Sequence, residues 1–178
     1  VYSRNKELPA IPYYKKYSVK AFPTAMIDRS EFDGVKLLDN KDKWSSYVFN
    51  KVQETTSVNI SMTSSYDAAT RTVTLATDVA FFEAVAEELY LQLWVIENGI
   101  IGPQVTAKGV NWEYEHNHVY RASANSVGGE NISLSANVFT TKEHTIAIKD
   151  EWNAKNLTVV AFVYNDNGVV QVAEQAIE

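Results

Sequence analysis

The chain has 178 residues, a net charge of −6 and a pI of about 5.1, with 46% apolar and 21% charged residues. Its lysines and arginines are scattered, so it lacks the clustered basic face that nucleic-acid binding demands, and no nucleic acid is expected as a partner. It has no cysteine, which excludes a disulfide framework and a thiolate metal site. At this length roughly 70% of the unfolded surface can be buried without either.

No stretch approaches the roughly 20 uninterrupted apolar residues of a membrane span. The sequence opens at Val1 and reads as a mature product or as a piece of a longer chain, with any membrane association made through an anchor outside it. Pro9 and Pro12 make the first dozen residues irregular, and Pro12 suits the first turn of a short helix over 13–17. Ala25-Met26-Ile27 reads as a short buried strand closed by Asp28. Asp39-Asn40 offers an N-cap for a helix over 41–54, in which Trp44, Tyr47, Val48 and Val52 form one apolar stripe.

From Val58 the period becomes two. Val58, Ile60 and Met62 alternate with polar neighbours, residues 66–69 turn, and Val73, Leu75, Thr77, Val79 and Phe81 alternate on the next strand. Leu89, Leu91, Leu93 and Val95 mark a third strand, ended by Asn98-Gly99. Further strands are expected over 112–122, 131–139 and 144–148, with one helical turn over 149–153. Residues 157–165 and 169–176 flank Asp166-Asn167-Gly168, a hairpin whose Asn-Gly supplies the positive φ of a tight turn. The segment LTVVAFVYN is apolar on both faces and predicts a central strand covered from two sides. About eight strands with regular turns predict a mainly β fold: an antiparallel β-sandwich, Ig-like or jelly-roll.

The stretch WEYEHNHVYRAS, the Gly128-Gly129 that follows it, and the terminal LTVVAFVYNDNGVVQVAEQAI together resemble the Omp28-related proteins of Bacteroidetes. The resemblance extends over nearly the whole chain. In the same frame KAFPTAMIDRS, residues 20–30, is similar to the cis-proline strand of a thioredoxin-like domain. The resemblance implies the closing part of such a domain over 1–55, a β-sandwich over 56–178, and a cis bond before Pro23. It also implies an exported, lipoprotein-type product of the cell envelope, associated with the outer membrane.

His116 and His118 are the one pair of metal-ligand types. Residues i and i+2 of a strand share a face, so both imidazoles can hold one metal with a third ligand such as His144; the plain alternative is hydrogen bonding across the sandwich. Trp94, Trp112, Tyr114 and Tyr120, with Tyr90, can form a ligand platform for stacking sugars, or can pack a core or an interface. The pairs Glu87-Glu88 and Asp150-Glu151 fail as the acids of a glycoside hydrolase, because strand neighbours point to opposite faces. There is no GxSxG elbow, and Ser126-Val127-Gly128-Gly129 lacks the lysine and helix of a phosphate loop. The Asn-X-Ser/Thr sequons at Asn59, Asn131 and Asn156 matter only in a eukaryotic secretory setting. The expected function is therefore a non-catalytic envelope module for recognition or assembly, without cofactor, that binds a protein or glycan partner. The alternative is the C-terminal fragment of an envelope thiol-disulfide oxidoreductase whose cysteines lie upstream.

Overall fold

The computed structural model describes residues 9–84, 87–132 and 138–177. The expectations for residues 1–8, and for the 133–137 part of the 131–139 strand, lie outside the described residues. Ten strands follow one another: β1 Val58–Asp67, β2 Thr72–Phe81, β3 Leu89–Glu97, β4 Ile100–Thr106, β5 Gly109–His116, β6 Val119–Ser123, β7 Glu130–Ile132, β8 Val138–Ala147, β9 Leu157–Asn165 and β10 Gly168–Ala176. They form a three-stranded sheet in the order β1-β2-β8 and a five-stranded sheet in the order β10-β9-β3-β6, with β7 also on β3. The remaining pair, β4-β5, makes a separate two-stranded arm. Every strand pairing is antiparallel.

Alternation decides which side chains make the core. Val58, Ile60, Val73, Leu75, Val79 and Phe81 from the first sheet meet Leu89, Leu91, Leu93, Val95, Val159, Ala161 and Val163 from the second. Each such fully buried side chain contributes about 1.5–3 kcal/mol by leaving water, and Trp152 and Ile177 extend the same cluster. Here the read alternation over 58–62, 73–81 and 89–95 coincides with the observed burial.

The second sheet is buried on both faces. On β3, Gln92 and Ile96 point away from the sandwich core, yet both are buried; on β9, Phe162 and Tyr164 do the same. Residues 9–40 supply most of the cover, and the 123–126 loop closes over Gln92. Helix α1, Ile11–Lys16, lays Tyr13 against Trp94. The bond between Phe22 and Pro23 is cis. Ala25 and Leu38 then form a two-way backbone bridge, N–H to carbonyl at 2.9 and 2.8 Å. Lys36 donates through Nζ to the Asp166 carbonyl (2.7 Å), and Val169 N–H to the Asp28 carbonyl (2.6 Å), fastening this cover to the β9-β10 turn.

Several elements differ from expectation, each for a local reason. Ala25-Met26-Ile27 is a single bridge and not a strand. The helix expected over 41–54 is a 3-10 turn, Lys41–Lys43, running into α2, Trp44–Lys51, with the Asn40 side chain capping the Asp42 N–H. Half of its apolar stripe faces solvent: Val48 and Val52 are 46% and 68% exposed, while Trp44 and Tyr47 are half-buried and Tyr47 stacks on Phe32 with centroids 4.4 Å apart. The short helical turn lies at Ala154–Asn156, not 149–153, because Asn153 caps Lys155 N–H. The strand expected over 112–122 is broken into β5 and β6. At the break His118 N–H donates to Asn98 Oδ1 and Gly99 N–H to Asn117 Oδ1, both at 2.8 Å, so side-chain amides take the place of ladder bonds.

Candidate functional site

Between the N-terminal cover and the outer face of the second sheet lies a cavity of about 700 Å³. Its wall on the sheet side comes from alternate residues of β9 and β3, Val160, Phe162 and Trp94, joined by Tyr120 of β6. Tyr13, Tyr14, Tyr17 and Phe22 close it from the cover. The rings meet edge to face: Tyr13 and Trp94 have centroids 5.1 Å apart at 72°, and Trp94 and Phe162 4.9 Å apart at 81°. Their polar ends are paired. Trp94 Nε1 donates to the Tyr13 hydroxyl (2.8 Å), which is 2.7 Å from Ser123 Oγ, and Tyr120 reaches the same Ser123 at 3.0 Å. Burial pushes the Tyr120 phenol up to about 12. Burial also raises the Tyr17 phenol, against the pull of the Arg29 charge.

Among the described residues, the buried cation in this wall is Arg29. It is only 8% exposed, and its guanidinium carbon stands 4.1 Å from the Tyr164 ring centroid, 4.7 Å from Phe162, 5.6 Å from Tyr17 and 5.7 Å from Trp94. Neither Nη1 nor Nη2 has a hydrogen-bond partner, and among the described residues no carboxylate pairs with it. A tight turn places it there. Asp28 and Arg29 both take left-handed φ, 49° and 53°, Ser30 N–H closes onto the Ile27 carbonyl, and Gly168 packs against the turn from the opposite hairpin. Two consecutive non-glycine residues in that region cost of order 1–3 kcal/mol each, and such strain persists only where surrounding packing enforces it. Asp28 also lines the cavity, and burial raises its carboxyl above the usual aspartate range.

The arm starts at the cavity rim, since β5 ends at His116 and His118 is a lining residue. Val105 and Val110 are cross-strand partners near its tip. Val105 is 75% exposed, Trp112 72% and Ile101 61%, and Tyr114 packs at 4.8 Å on the His116 ring.

The aromatic residues singled out in the sequence thus divide. Trp94 and Tyr120 line the cavity, Trp112 and Tyr114 lie on the arm, and Tyr90 stands beside Tyr164 with its hydroxyl on Glu88. They do not make one platform. His116 and His118 also part company. His116 is buried against Gly102, while His118, with φ 54°, follows the end of the strand and leaves the i, i+2 alternation. His144 lies on β8, 2.8 Å from Glu130. Among the described residues no cluster of three metal-ligand side chains forms. Gly128-Gly129 belongs to a loop over β3, where a Cβ on Gly129 (φ 72°) would stand 2.7 Å from the Leu91 carbonyl. Gln92 holds that loop by donating to Asn125 Oδ1 and the Ser126 carbonyl. Arg29, Tyr13 and Phe162 escaped the sequence reading as site residues. The available signal was an arginine at the end of an apolar run, together with a two-faced apolar strand that needed a cover.

The class is therefore a mainly β protein of antiparallel sheets, with a capped aromatic cavity and a projecting arm. The sequence matches the family described as Outer membrane protein Omp28 over residues 10–178, and the chain belongs to that family of outer membrane proteins. Among solved structures, HBP35 of Porphyromonas gingivalis has a similar fold, with a TM-score of 0.77 and 18% identity over 94% of this chain and 56% of its own. A domain of the outer membrane lipoprotein Omp28 from Porphyromonas gingivalis matches with 20% identity and a TM-score of 0.49, over 70% of this chain and 91% of its own. The chain thus spans little more than half the length of HBP35. No curated protein matches the chain. No helix among the described residues is long and apolar enough to cross a membrane.

Proposed function

We propose that the chain is a non-catalytic recognition module of the outer membrane that engages a protein partner through the β4-β5 arm. The observation carrying this reading is that Ile101, Val105 and Trp112 are largely exposed on a two-stranded ribbon that neither sheet extends. A lone hairpin is marginal in water and gains little from bare aliphatic side chains. Exposed apolar patches of this kind mark interaction surfaces, and open ribbon edges invite strand addition. A protein is favoured over a glycan because Trp112 is the one largely exposed ring of this surface, and the isoleucine and valines beside it offer a sugar neither stacking faces nor hydrogen bonds. The finer division, a thioredoxin-like remnant over 1–55 before a sandwich over 56–178, belongs to the same proposal and is supported by the change of residue pattern near position 55. The thiol-disulfide alternative requires cysteines outside these 178 residues, and no feature of the described residues favours it.

The test is photo-crosslinking in intact cells from a reactive residue at position 112, with position 139, exposed on β8, as control. A defined protein adduct at 112 alone, lost in Val105→Asp/Val110→Asp, is the expected result. Equal labelling from both positions refutes the assignment. Glycan-array binding abolished by Trp112→Ala would transfer the arm to carbohydrate recognition.

A further inference from the structure

We propose that the cavity under the N-terminal cover is a binding site for a small molecule that joins an oxyanion to an apolar body, with Arg29 as the anchor for the oxyanion. This goes beyond partner recognition by the arm and is independent of it. The argument starts from the hydrogen-bond account of one side chain. A guanidinium presents five N–H donors in its own plane. Ring faces stabilise its charge from above and below, but they cannot accept the donors at its edge. Tyr164 and Phe162 provide such faces at 4.1 and 4.7 Å, and still, among the described residues, Nη1 and Nη2 find no acceptor. A buried charged donor without a partner is one of the costliest arrangements in a folded chain, and here the turn 27–30 adopts two left-handed residues to hold it in place.

A planar oxyanion satisfies those donors, because two of its oxygens can accept two parallel N–H bonds, once the covering side chains yield to open nitrogens that are closed to water in this structure. The other end of the ligand is set by the wall. Tyr13, Trp94, Phe162 and Val160 are apolar surfaces whose polar tips, where present, are already paired within the protein. A volume of about 700 Å³ falls within the range of small-molecule sites. The charged and titratable groups near the guanidinium are Asp28 on the same turn, Tyr17 and Lys16 on the cover, and His118 and Tyr120 on the sheet side. Among the described residues Asp28 is the only carboxylate lining the cavity. It does not pair with Arg29, and burial favours its neutral form.

The experiment uses the unaltered chain and displacement of anilinonaphthalene sulfonate, a fluorescent aromatic oxyanion. Dodecanoate, dodecyl phosphate and dodecanol compete below their micelle concentrations. The oxyanion amphiphiles are expected to displace the probe about 10- to 100-fold more tightly than dodecanol, as a charge-assisted pair would give. Arg29→Met should remove that preference, so that dodecanoate and dodecyl phosphate displace the probe no more tightly than dodecanol. Should that variant not fold, the Arg29 guanidinium resonances of the unaltered protein decide: they shift with dodecanoate and stay still with dodecanol. Failure of the probe to bind, equal displacement by alcohol and acid, a preference surviving Arg29→Met, or silent guanidinium resonances would each overturn the proposal. So would inorganic phosphate competing as well as dodecyl phosphate, since the apolar body would then contribute nothing. The order of dodecanoate and dodecyl phosphate identifies carboxylate or phosphate as the source, and either order supports the oxyanion anchor.

Discussion

At the residue scale, Gly168 shows how closely the cover is fitted to the last hairpin. Its φ is 143°, and a Cβ there would meet Ser30 Oγ and stand 2.7 Å from the Asp28 carbonyl. The carbonyl belongs to the turn that also carries Arg29 and accepts Val169 N–H, so it cannot retreat without releasing that bond. Gly168→Ala is expected to destabilise the chain by about 1–3 kcal/mol, read from urea unfolding. It should also change Trp94 fluorescence as the cover lifts. An alanine variant with unchanged stability and fluorescence would show the turn to be loosely held. Tyr164 illustrates the same economy of contact: its ring supports Arg29 and its hydroxyl donates to the Gly128 carbonyl, so one side chain ties the cover, the sheet and the 126–129 loop together.

At the scale of elements, the buried pair between Glu97 and Arg121 joins β3, β6 and the loop after β8. Arg121 Nε donates to Glu97 Oε2 at 2.6 Å, and Asn153 N–H to Oε1 at 2.9 Å, while Glu97 is almost wholly buried. Removing the arginine leaves an uncompensated carboxylate. Arg121→Ala should cost about 2–4 kcal/mol, toward the lower end because the arginine retains partial exposure. Glu97→Gln combined with Arg121→Met should recover much of that loss in the same thermal melts. The elements readable from sequence were those with one face in the core, since burial imposes the period of two on β1, β2 and β3 and the two-sided apolar pattern on β9. Of the arm, β5 was read in part, inside the strand expected over 112–122, because Trp112 and Tyr114 alternate with Glu113 and Glu115; β4 was not readable, since Gly102 and Pro103 interrupt any strand pattern there. The stripe on α2 announced a helix, and periodic apolar residues name no partner for it. Asp33 binds α2 to the 32–35 turn through Lys43 Nζ and the Tyr47 hydroxyl, both at 2.7 Å, and Phe32 stacks on the Tyr47 ring, so the stripe is left partly bare.

At the scale of the molecule, the sandwich and the arm are unequal in their debt to each other. The core draws on both sheets but on no arm residue, so replacing residues 101–115 by a short Gly-Ser turn should leave the melting temperature within about 2–4 °C of the original chain. A large drop in calorimetry would show that the arm props up the fold instead of projecting from it. The cavity was only half legible in the sequence. The pattern of β9 required a second covering layer, but which segment supplied it depended on contacts spanning most of the chain, such as Lys36 with Asp166 and Asp28 with Val169. Those same contacts set an order of events. The cover over 9–40 has its seat on the hairpin over 157–176, so during synthesis it waits, unseated, until that hairpin has emerged and paired. Whatever chaperones this polypeptide on its way to the envelope therefore has an aromatic-rich segment to shield through that interval.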